Sequence, residues 1–200
     1  MHPTTLYAEL TPNPNTMKFV ADRRIFDGID PVEYHTAQAA KGSSTLAQEL
    51  FNFPFVKSVF ISNNYVTLTK IADLSWDLIT FELREFIREH LLKNEKAVEA
   101  APEISTSAES LDPNSTPKAP VEPSEYDEII ITLLDQYVKP AVESDGGAID
   151  FVSFKDGVVT VQLRGSCAGC PSSVVTLKDG IQNLLVAELP VVKEVVAESI

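Results

Sequence analysis

The stretch from residue 94 to residue 124 constrains the fold most, because it cannot contribute to a packed core. It reads NEKAVEAAPEISTSAESLDPNSTPKAPVEPS, holds five of the 13 prolines and contains no aromatic residue. Its apolar residues are mostly alanine, so their burial would not offset the entropy lost on ordering the chain. We therefore predict a flexible acidic linker over residues 94–124, which separates a small domain of residues 1–93 from another of residues 125–200.

The charge balance limits the partners that the chain can bind. The 29 acidic residues exceed the 16 lysines and arginines, so the formal net charge is −13. Such a surface repels a phosphate backbone, and we expect no nucleic-acid partner. No apolar run approaches the roughly 20 residues that span a bilayer, and the start, MHPTTLYAEL, lacks the pattern of a signal or transit peptide. We therefore expect no membrane association and a cytoplasmic location, where cysteines stay reduced.

The first domain is predicted to be α+β. Asn63-Asn64 lies between two alternating runs, which is typical of a β-hairpin, and a later run has apolar residues at helical spacing. The predicted strands cover residues 4–10, 16–21, 55–62 and 65–70, and the predicted helices cover residues 45–52 and 75–92. We interpret Trp76 and Phe81 as core or core-edge residues, and TPNPN, residues 11–15, as a turn.

The second domain is predicted to have the order α-β-β-α-β, with a three-stranded sheet packed by two helices. The first helix carries an apolar stripe, stops at Asp145-Gly146-Gly147 and should bend locally at Pro140. The sequence Lys155-Asp156-Gly157 is a strong hairpin signal. The predicted strands cover residues 149–154, 158–164 and 191–197, and the second helix covers residues 171–188.

The two cysteines, Cys167 and Cys170, are the only ones in the chain. Their spacing places two sulfurs close enough to bind one metal centre, and Gly165 and Gly169 let the backbone turn sharply around them. Pro171 suits the first position of a helix, so the N–H groups and the dipole of that helix favour a thiolate at Cys170. Because thiolates bind metals and also attack disulfides, this local sequence indicates metal or redox chemistry.

The spacing alone leaves redox chemistry, zinc, an iron–sulfur cluster and an inert pair open. A dithiol pair at the start of a helix is typical of thioredoxin-like oxidoreductases, although here the preceding strand belongs to a hairpin. Structural zinc and an iron–sulfur cluster each take four protein ligands, and His2, His35 and His90 lie in the other domain. Two chains that each contribute Cys167 and Cys170 would supply four thiolates by symmetry. Such a shared site should release its metal readily, which suits a carrier.

The residues around these cysteines resemble a known family. The run DGGAIDFVSFKDGVVTVQLRGSCAGCPSSVVTLKDGIQNLL, residues 145–185, is similar to the C-terminal domain of the NifU/Nfu iron–sulfur scaffold proteins. Its GSCxGCPSS pattern is far more specific than a bare Cys-x-x-Cys. The TPNPN turn followed by MKF, then LAQELFNFPFVKSVFISNNYVTLTK and Trp76, resembles the Nfu N-terminal domain. The cysteine-bearing scaffold and ferredoxin-like modules of full-length NifU have no counterpart, since no other cysteine exists.

This resemblance implies an iron–sulfur cluster assembly scaffold and carrier. In the family a cluster, typically [4Fe–4S], is bridged between two protomers, and Cys167 and Cys170 match the ligand positions. The implied partners are apo iron–sulfur client proteins, upstream cluster donors and a second copy of the chain in a homodimer. We expect no enzymatic activity, since the sequence has no supported catalytic triad and no phosphate-binding loop. The alternative function for the same two cysteines is that of a thiol–disulfide oxidoreductase.

Overall fold

The computed structural model of the chain describes residues 4–71, 73–100, 124–168 and 171–199. Two sheets with separate hydrophobic cores form two domains, and the α+β class is as predicted. Most of the predicted linker, residues 101–123, lies outside the described residues. Within the described ranges, no helix is both long enough and apolar enough to cross a membrane.

An antiparallel sheet of five strands forms the first domain. Its strands are β1 (Leu6–Leu10), β2 (Thr16–Ala21), β3 (Val32–Tyr34), β4 (Val56–Ser62) and β5 (Tyr65–Lys70), and its helices are α1 (Thr45–Leu50) and α2 (Trp76–Lys93). The strand order is β1-β2-β5-β4-β3. The hairpin at Asn63-Asn64 is confirmed, whereas β3 was not predicted because three residues are too few to show an alternation.

The side chains of this sheet alternate between two faces, and both faces are buried. The inner face contacts α1 and α2 and includes Phe19 and Leu68, which are fully buried. Successive strand residues point to opposite sides of a sheet, so the residues between them form an outer face. The buried members of the outer face are Thr16, Lys18, Val20, Ser58, Phe60, Tyr65 and Thr67. Their burial means that a second layer covers the outer face.

The second domain supplies that layer. Val20, Phe60 and Tyr65 form a small apolar cluster with Ala148 of the second domain. The rings of Phe60 and Tyr65 stack at a centroid distance of 6.2 Å. A flexible linker predicts two domains that move independently, but the structure places the described parts of both domains in contact.

Residues 94–100 pack with the first domain, although the prediction places them in the linker. Ala97 and Val98 are buried in the first core. The backbone N–H of Ala97 donates to the Ile25 carbonyl at 2.7 Å. The Ser44 hydroxyl caps α1 and also donates to the Ala97 carbonyl at 2.6 Å. Small residues suffice here because backbone hydrogen bonds, rather than large side chains, fix the segment.

The second domain has the predicted order α-β-β-α-β, with its first helix interrupted. Its elements are α3 (Asp127–Leu133), a π-helical turn (Leu134–Val138), α4 (Lys139–Ser144), β6 (Gly147–Lys155), β7 (Val158–Gly165), α5 (Pro171–Glu188) and β8 (Glu194–Ser199). β7 pairs antiparallel with β6 and parallel with β8. The π-helical turn ends just before Pro140, where a local bend was predicted, because proline has no N–H for the helical ladder.

The predictions for two aromatic residues of α2 have different outcomes. Trp76 is half-buried against the first core, and its Nε1–H donates to the Pro14 carbonyl at 3.0 Å. Phe81 is 68% exposed, so the prediction that it lies in the core is wrong. The buried stripe of α2 runs through Ile79 and Leu83, and a helical rotation of 100° per residue places Phe81 on the opposite side.

Candidate functional site

Cys167 lies in the loop that follows β7, and we call residues 165–168 the cysteine loop. The Cys167 side chain is 7% exposed and belongs to the core of the second domain. A Cβ on Gly147 would lie 2.9 Å from the Cys167 sulfur and 2.7 Å from the Arg164 carbonyl oxygen. Position 147 therefore has no room for a side chain. The Asp145-Gly146-Gly147 segment was interpreted as a helix stop, and it also packs against the cysteine loop.

Gly165 sets the direction of the cysteine loop. Its φ of +65° lies in a region that residues with a side chain rarely adopt. A Cβ there would lie 2.8 Å from the Gly146 carbonyl oxygen and 3.1 Å from Cγ of Phe60 in the first domain. The predicted sharp turn is confirmed, and the close approach that it permits is between the two domains.

Cys170 and Gly169 lie outside the described residues, so their part in the site stays a prediction. Helix α5 begins at Pro171, as predicted. Among the described residues, no three His, Cys, Asp or Glu side chains are grouped closely enough to hold a metal ion. A metal bound through Cys167 would therefore need ligands from Cys170 or from another chain.

The surroundings of Cys167 favour the thiol over the thiolate. Burial raises the pKa of Cys167, the Ser166 hydroxyl at 3.7 Å from the sulfur partly lowers it, and the Asp145 carboxylate raises it again. The physical reason for the raised pKa is that Cys167 faces the core of its domain, where a charge is poorly solvated. The thiolate was predicted at Cys170, which lies outside the described residues, so it stays a prediction.

An apolar cavity of about 470 Å³ borders Cys167. Its walls come from α4, α5 and the TPNPN turn and include Pro12, Val142, Leu177 and Ile181. The cavity gives the cysteine side chain a neighbouring space that is neither filled by protein nor strongly polar. A rearrangement of the loop can use this space without displacing packed side chains.

The TPNPN turn of the first domain contacts the cysteine loop directly. The Asn13 side chain is almost fully buried. Its Nδ2–H₂ group donates to the carbonyl oxygens of Ser166 at 3.1 Å and Ala168 at 3.2 Å. These are the two residues on either side of Cys167. The turn predicted from the sequence is therefore part of the site, a role that the sequence did not assign to it.

The outer face of the first domain contacts the same region through polar side chains. Thr67 donates its hydroxyl hydrogen to the Gly146 carbonyl at 2.8 Å, and the Glu33 carboxylate accepts from the Gly165 N–H at 3.0 Å. Lys18 donates to the carbonyl of Ser144 at 2.8 Å, at the end of α4. Sequence reasoning missed these residues, since polar side chains on a strand ordinarily indicate a face exposed to solvent.

The histidines provide no cluster of metal ligands among the described residues. His90 is buried, and its Nδ1 lies 3.0 Å from the Glu49 carboxylate, which makes it a core residue as interpreted. His35 lines a cavity of about 360 Å³ that also borders Glu33 and Ala168. His2 lies outside the described residues.

Fold and site together define a two-domain α+β protein with a buried cysteine on a loop that the other domain contacts. The family described as "Scaffold protein Nfu/NifU N terminal" matches residues 6–94, and that described as "NifU-like domain" matches residues 130–196. The chain therefore belongs to the Nfu/NifU family of iron–sulfur cluster scaffold proteins, as the resemblance implied.

Named relatives agree with this assignment. The chain is 34% identical over 189 residues to the human "NFU1 iron-sulfur cluster scaffold homolog, mitochondrial", covering 92% of this chain and 68% of the human protein. It is also 34% identical to the protein of the same name from Drosophila persimilis, of which it covers 62%. The chain thus spans about three fifths to two thirds of the length of these curated relatives.

Solved structures give a weaker likeness. The solution structure of a NifU-like protein from Saccharomyces cerevisiae matches with a TM-score of 0.46 at 22% identity, covering 50% of this chain and 89% of that chain. A crystal structure of a Staphylococcus aureus protein matches with a TM-score of 0.37 at 19% identity, covering 42% and 98%. Likenesses at this level support no argument about function.

Proposed function

We propose that this protein is a non-enzymatic carrier that takes a [4Fe–4S] cluster as cargo between two copies of the chain and passes it to apo iron–sulfur proteins. Cys167 and Cys170 of each copy would hold the cluster. The observation that carries this proposal is the cysteine count: two per chain, against the four thiolates that such a cluster takes. A symmetric pair of chains supplies the missing two.

The chemistry of the donor set fits this cargo. Cysteine thiolates are the usual ligands of iron–sulfur clusters, and the cysteine loop has a glycine at its start that frees its backbone. Cys167 is a buried thiol in the described conformation, so binding would include its deprotonation and its rotation away from the core. Release to a client with four well-placed thiolates would then be ligand exchange, and upstream donors would load the carrier in the same way.

The alternative, a thiol–disulfide oxidoreductase, is less well supported by the surroundings of Cys167. Reactive redox cysteines are partly exposed and lie in an electropositive setting. Cys167 is instead 7% exposed, and the Asp145 carboxylate raises its pKa further. We propose a reducing compartment, and within it the predicted cytoplasmic location, as the setting in which the cysteines stay free.

Anaerobic reconstitution with iron and sulfide tests this proposal. The parent chain should elute as a dimer after gel filtration, with about four irons and four sulfides per two chains. Cys167→Ala and Cys170→Ala should each lose the bound iron and remain monomeric. Ser153→Ala, which truncates a buried residue of β6 away from the loop, is the matched control and should load like the parent.

Two results would contradict the proposal. The ligands would be wrongly assigned if either cysteine variant kept the full iron and sulfide content. A parent chain that stays colourless and monomeric but reduces protein disulfides catalytically would be an oxidoreductase instead. Tightly bound zinc in a dimer that is stable in air would point to a zinc-bridged module.

A further inference from the structure

The contact between the two domains centres on the backbone around Cys167. We propose that the TPNPN turn and the outer face of the first domain bind the cysteine loop and keep Cys167 buried until a cluster is loaded. We call four residues whose side chains make this contact at 3.1 Å or less the clasp: Asn13, Lys18, Glu33 and Thr67. Sequence analysis predicted only a turn at TPNPN, and this contact assigns it a function.

Asn13 is the central residue of the clasp because both ends of its side chain are used. The Oδ1 atom accepts from the backbone N–H of Asn15 at 3.0 Å, which fixes the side chain to its own turn. The Nδ2 group donates to the carbonyls of Ser166 and Ala168, which flank Cys167 in the sequence. Turn asparagines usually point to solvent, but Asn13 is 2% exposed. Its geometry fixes the backbone on both sides of the cysteine.

The other clasp residues hold the segments next to the cysteine loop. Glu33 binds the Gly165 N–H, and Thr67 binds the Gly146 carbonyl. The Lys18 ammonium donates to the carbonyls at the end of α4, where the helix dipole carries partial negative charge. All these contacts are made to backbone atoms. Glycines at positions 146 and 165 allow the close approach, since a Cβ on Gly146 would lie 2.7 Å from the Thr67 hydroxyl.

Closure by the clasp is incompatible with the ligand role of Cys167. A cysteine that bridges two chains has to direct its sulfur away from its own domain, whereas Cys167 packs against Gly147 inside the second core. In the proposed opening, the backbone between Ser166 and Ala168 moves as Cys167 turns outward, and the two Asn13 hydrogen bonds break. Water can replace these bonds, so opening is reversible. The inference rests on the proposed function only in naming a cluster as the group that displaces the clasp.

The accessibility of the Cys167 thiol tests this inference without any cluster. In a full chain carrying Cys170→Ser, Cys167 is the only thiol, and its reaction with N-ethylmaleimide gives its rate of exposure. Asn13→Asp keeps the acceptor for the Asn15 N–H but removes the donor to the loop. We expect the reaction to be roughly 10- to 30-fold faster, since two hydrogen bonds that oppose opening are lost. The added negative charge alone would slow the reaction, because it disfavours a nearby thiolate.

Asn15→Asp is the matched control. It makes the same chemical change in the same turn, and among the described residues the Asn15 side chain makes no hydrogen bond to the loop. Its rate should stay within about twofold of the parent rate. Equal acceleration in Asn13→Asp and Asn15→Asp would overturn the inference, because a general loosening of the turn would then explain both.

Thr67→Val keeps the test decisive even if Asn13→Asp does not fold, as judged by circular dichroism. This change removes one clasp hydrogen bond at nearly constant volume and should speed the reaction roughly 3- to 10-fold, whereas Thr69→Val, at a half-buried position on the same strand, should not. Unchanged rates in both clasp variants would overturn the inference. The proposed function is judged separately, from the iron and sulfide content of the chain with both cysteines, so either idea can fail alone.

Discussion

The inner and outer faces of the first domain's sheet are buried to a similar degree, but by different chemistry. Leu68 on the inner face is fully buried among apolar side chains. Thr67, its neighbour on β5, is 1% exposed, and its hydroxyl meets the backbone of Gly146. Burial alone therefore does not identify a core. The inner face stabilises the first domain, and the outer face joins it to the second.

The two kinds of burial differ in how easily they are undone. Burying apolar area contributes roughly 25 cal/mol per Å², and nothing replaces it when the contact is lost. A hydrogen bond contributes about 1 kcal/mol net, since water takes the place of the lost partner once the groups are exposed. The interface combines hydrogen bonds to backbone atoms with one small apolar cluster, so it can open at a lower cost than the first core. This difference suits a carrier that has to expose a cysteine repeatedly.

The largest expected effect is a difference in stability between variants at two adjacent positions, one on each face of the sheet. Leu68→Ala should lower the free energy of unfolding by about 2 to 5 kcal/mol, because it leaves a cavity in a fully packed core. Thr67→Val should lower it by about 1 kcal/mol, the net value of one hydrogen bond. Urea unfolding followed by the fluorescence of Trp76, the only tryptophan, reports on the first domain.

The same two variants can also contradict the distinction between the inner and outer faces. If Thr67→Val were as destabilising as Leu68→Ala, the outer face would be a second core rather than an interface. Thr69→Val, at a half-buried position two residues along β5, is the control for the change of chemistry alone. Its effect on the unfolding midpoint should be close to zero.

A smaller effect is expected at the glycine where the outer face meets the cysteine loop. Gly165→Ala combines a positive φ with a Cβ that would lie 2.8 Å from the Gly146 carbonyl oxygen and 3.1 Å from Phe60. Gly42 also has a positive φ, +78°, but a Cβ there would meet nothing within 4 Å. Gly42→Ala should therefore lower the free energy of unfolding by about 1 kcal/mol, from the backbone conformation alone. Gly165→Ala should lower it by about 1 to 3 kcal/mol more, because the added Cβ overpacks the junction.

Thermal unfolding of both glycine variants measures the difference. Equal losses for Gly42→Ala and Gly165→Ala would mean that the domains separate at no cost, and that the outer face contributes nothing to stability. A larger loss at Gly165 supports a packed junction between Phe60 and the loop. Because Gly42 lies in the first domain away from this junction, its variant isolates the conformational part of the cost.

The sequence predicted the inner face well and the outer face not at all. Alternation of apolar residues located β4 and β5 because one side of each strand contacts a local core. On the other side, Lys18 and Thr67 have the polarity of solvent-facing residues, and their burial depends on a domain more than 75 residues further along the chain. No local pattern encodes such a contact. The glycines of the Asp145-Gly146-Gly147 segment were the available signal, since two adjacent glycines permit a close approach of backbones.

The candidate site shows the same limit. The motif around Cys167 identified the ligand candidates and the start of α5, because both depend on neighbouring residues. The raised pKa of Cys167 could not be predicted from the motif, because it depends on how the loop turns into the core. The buried Asn13 was likewise missed, since an asparagine between two prolines has the same local sequence whether its side chain is solvated or bound.

The smallest expected effect at neutral pH is that of Tyr65→Phe. The Tyr65 hydroxyl lies on the outer face and donates to the Gly147 carbonyl at a long 3.4 Å, so its loss should cost well under about 1 kcal/mol. Burial raises the pKa of Tyr65 to about 12 from its usual 10.0. Because the pKa is raised in the folded state, Tyr65 contributes fully to the stability of the fold below pH 10. This contribution is lost as the pH rises towards 12.

Urea midpoints at about pH 9 and about pH 11 measure this contribution. The parent chain should lose more stability between the two pH values than Tyr65→Phe, which has no hydroxyl to ionise at that position. Tyr7→Phe is the matched control, since Tyr7 is 49% exposed, and it should follow the parent. If Tyr65→Phe also followed the parent, the outer face would open before Tyr65 titrates, and the contact between the domains would contribute little to stability at alkaline pH. A difference confined to Tyr65→Phe would instead show that the outer face stays closed to water up to alkaline pH.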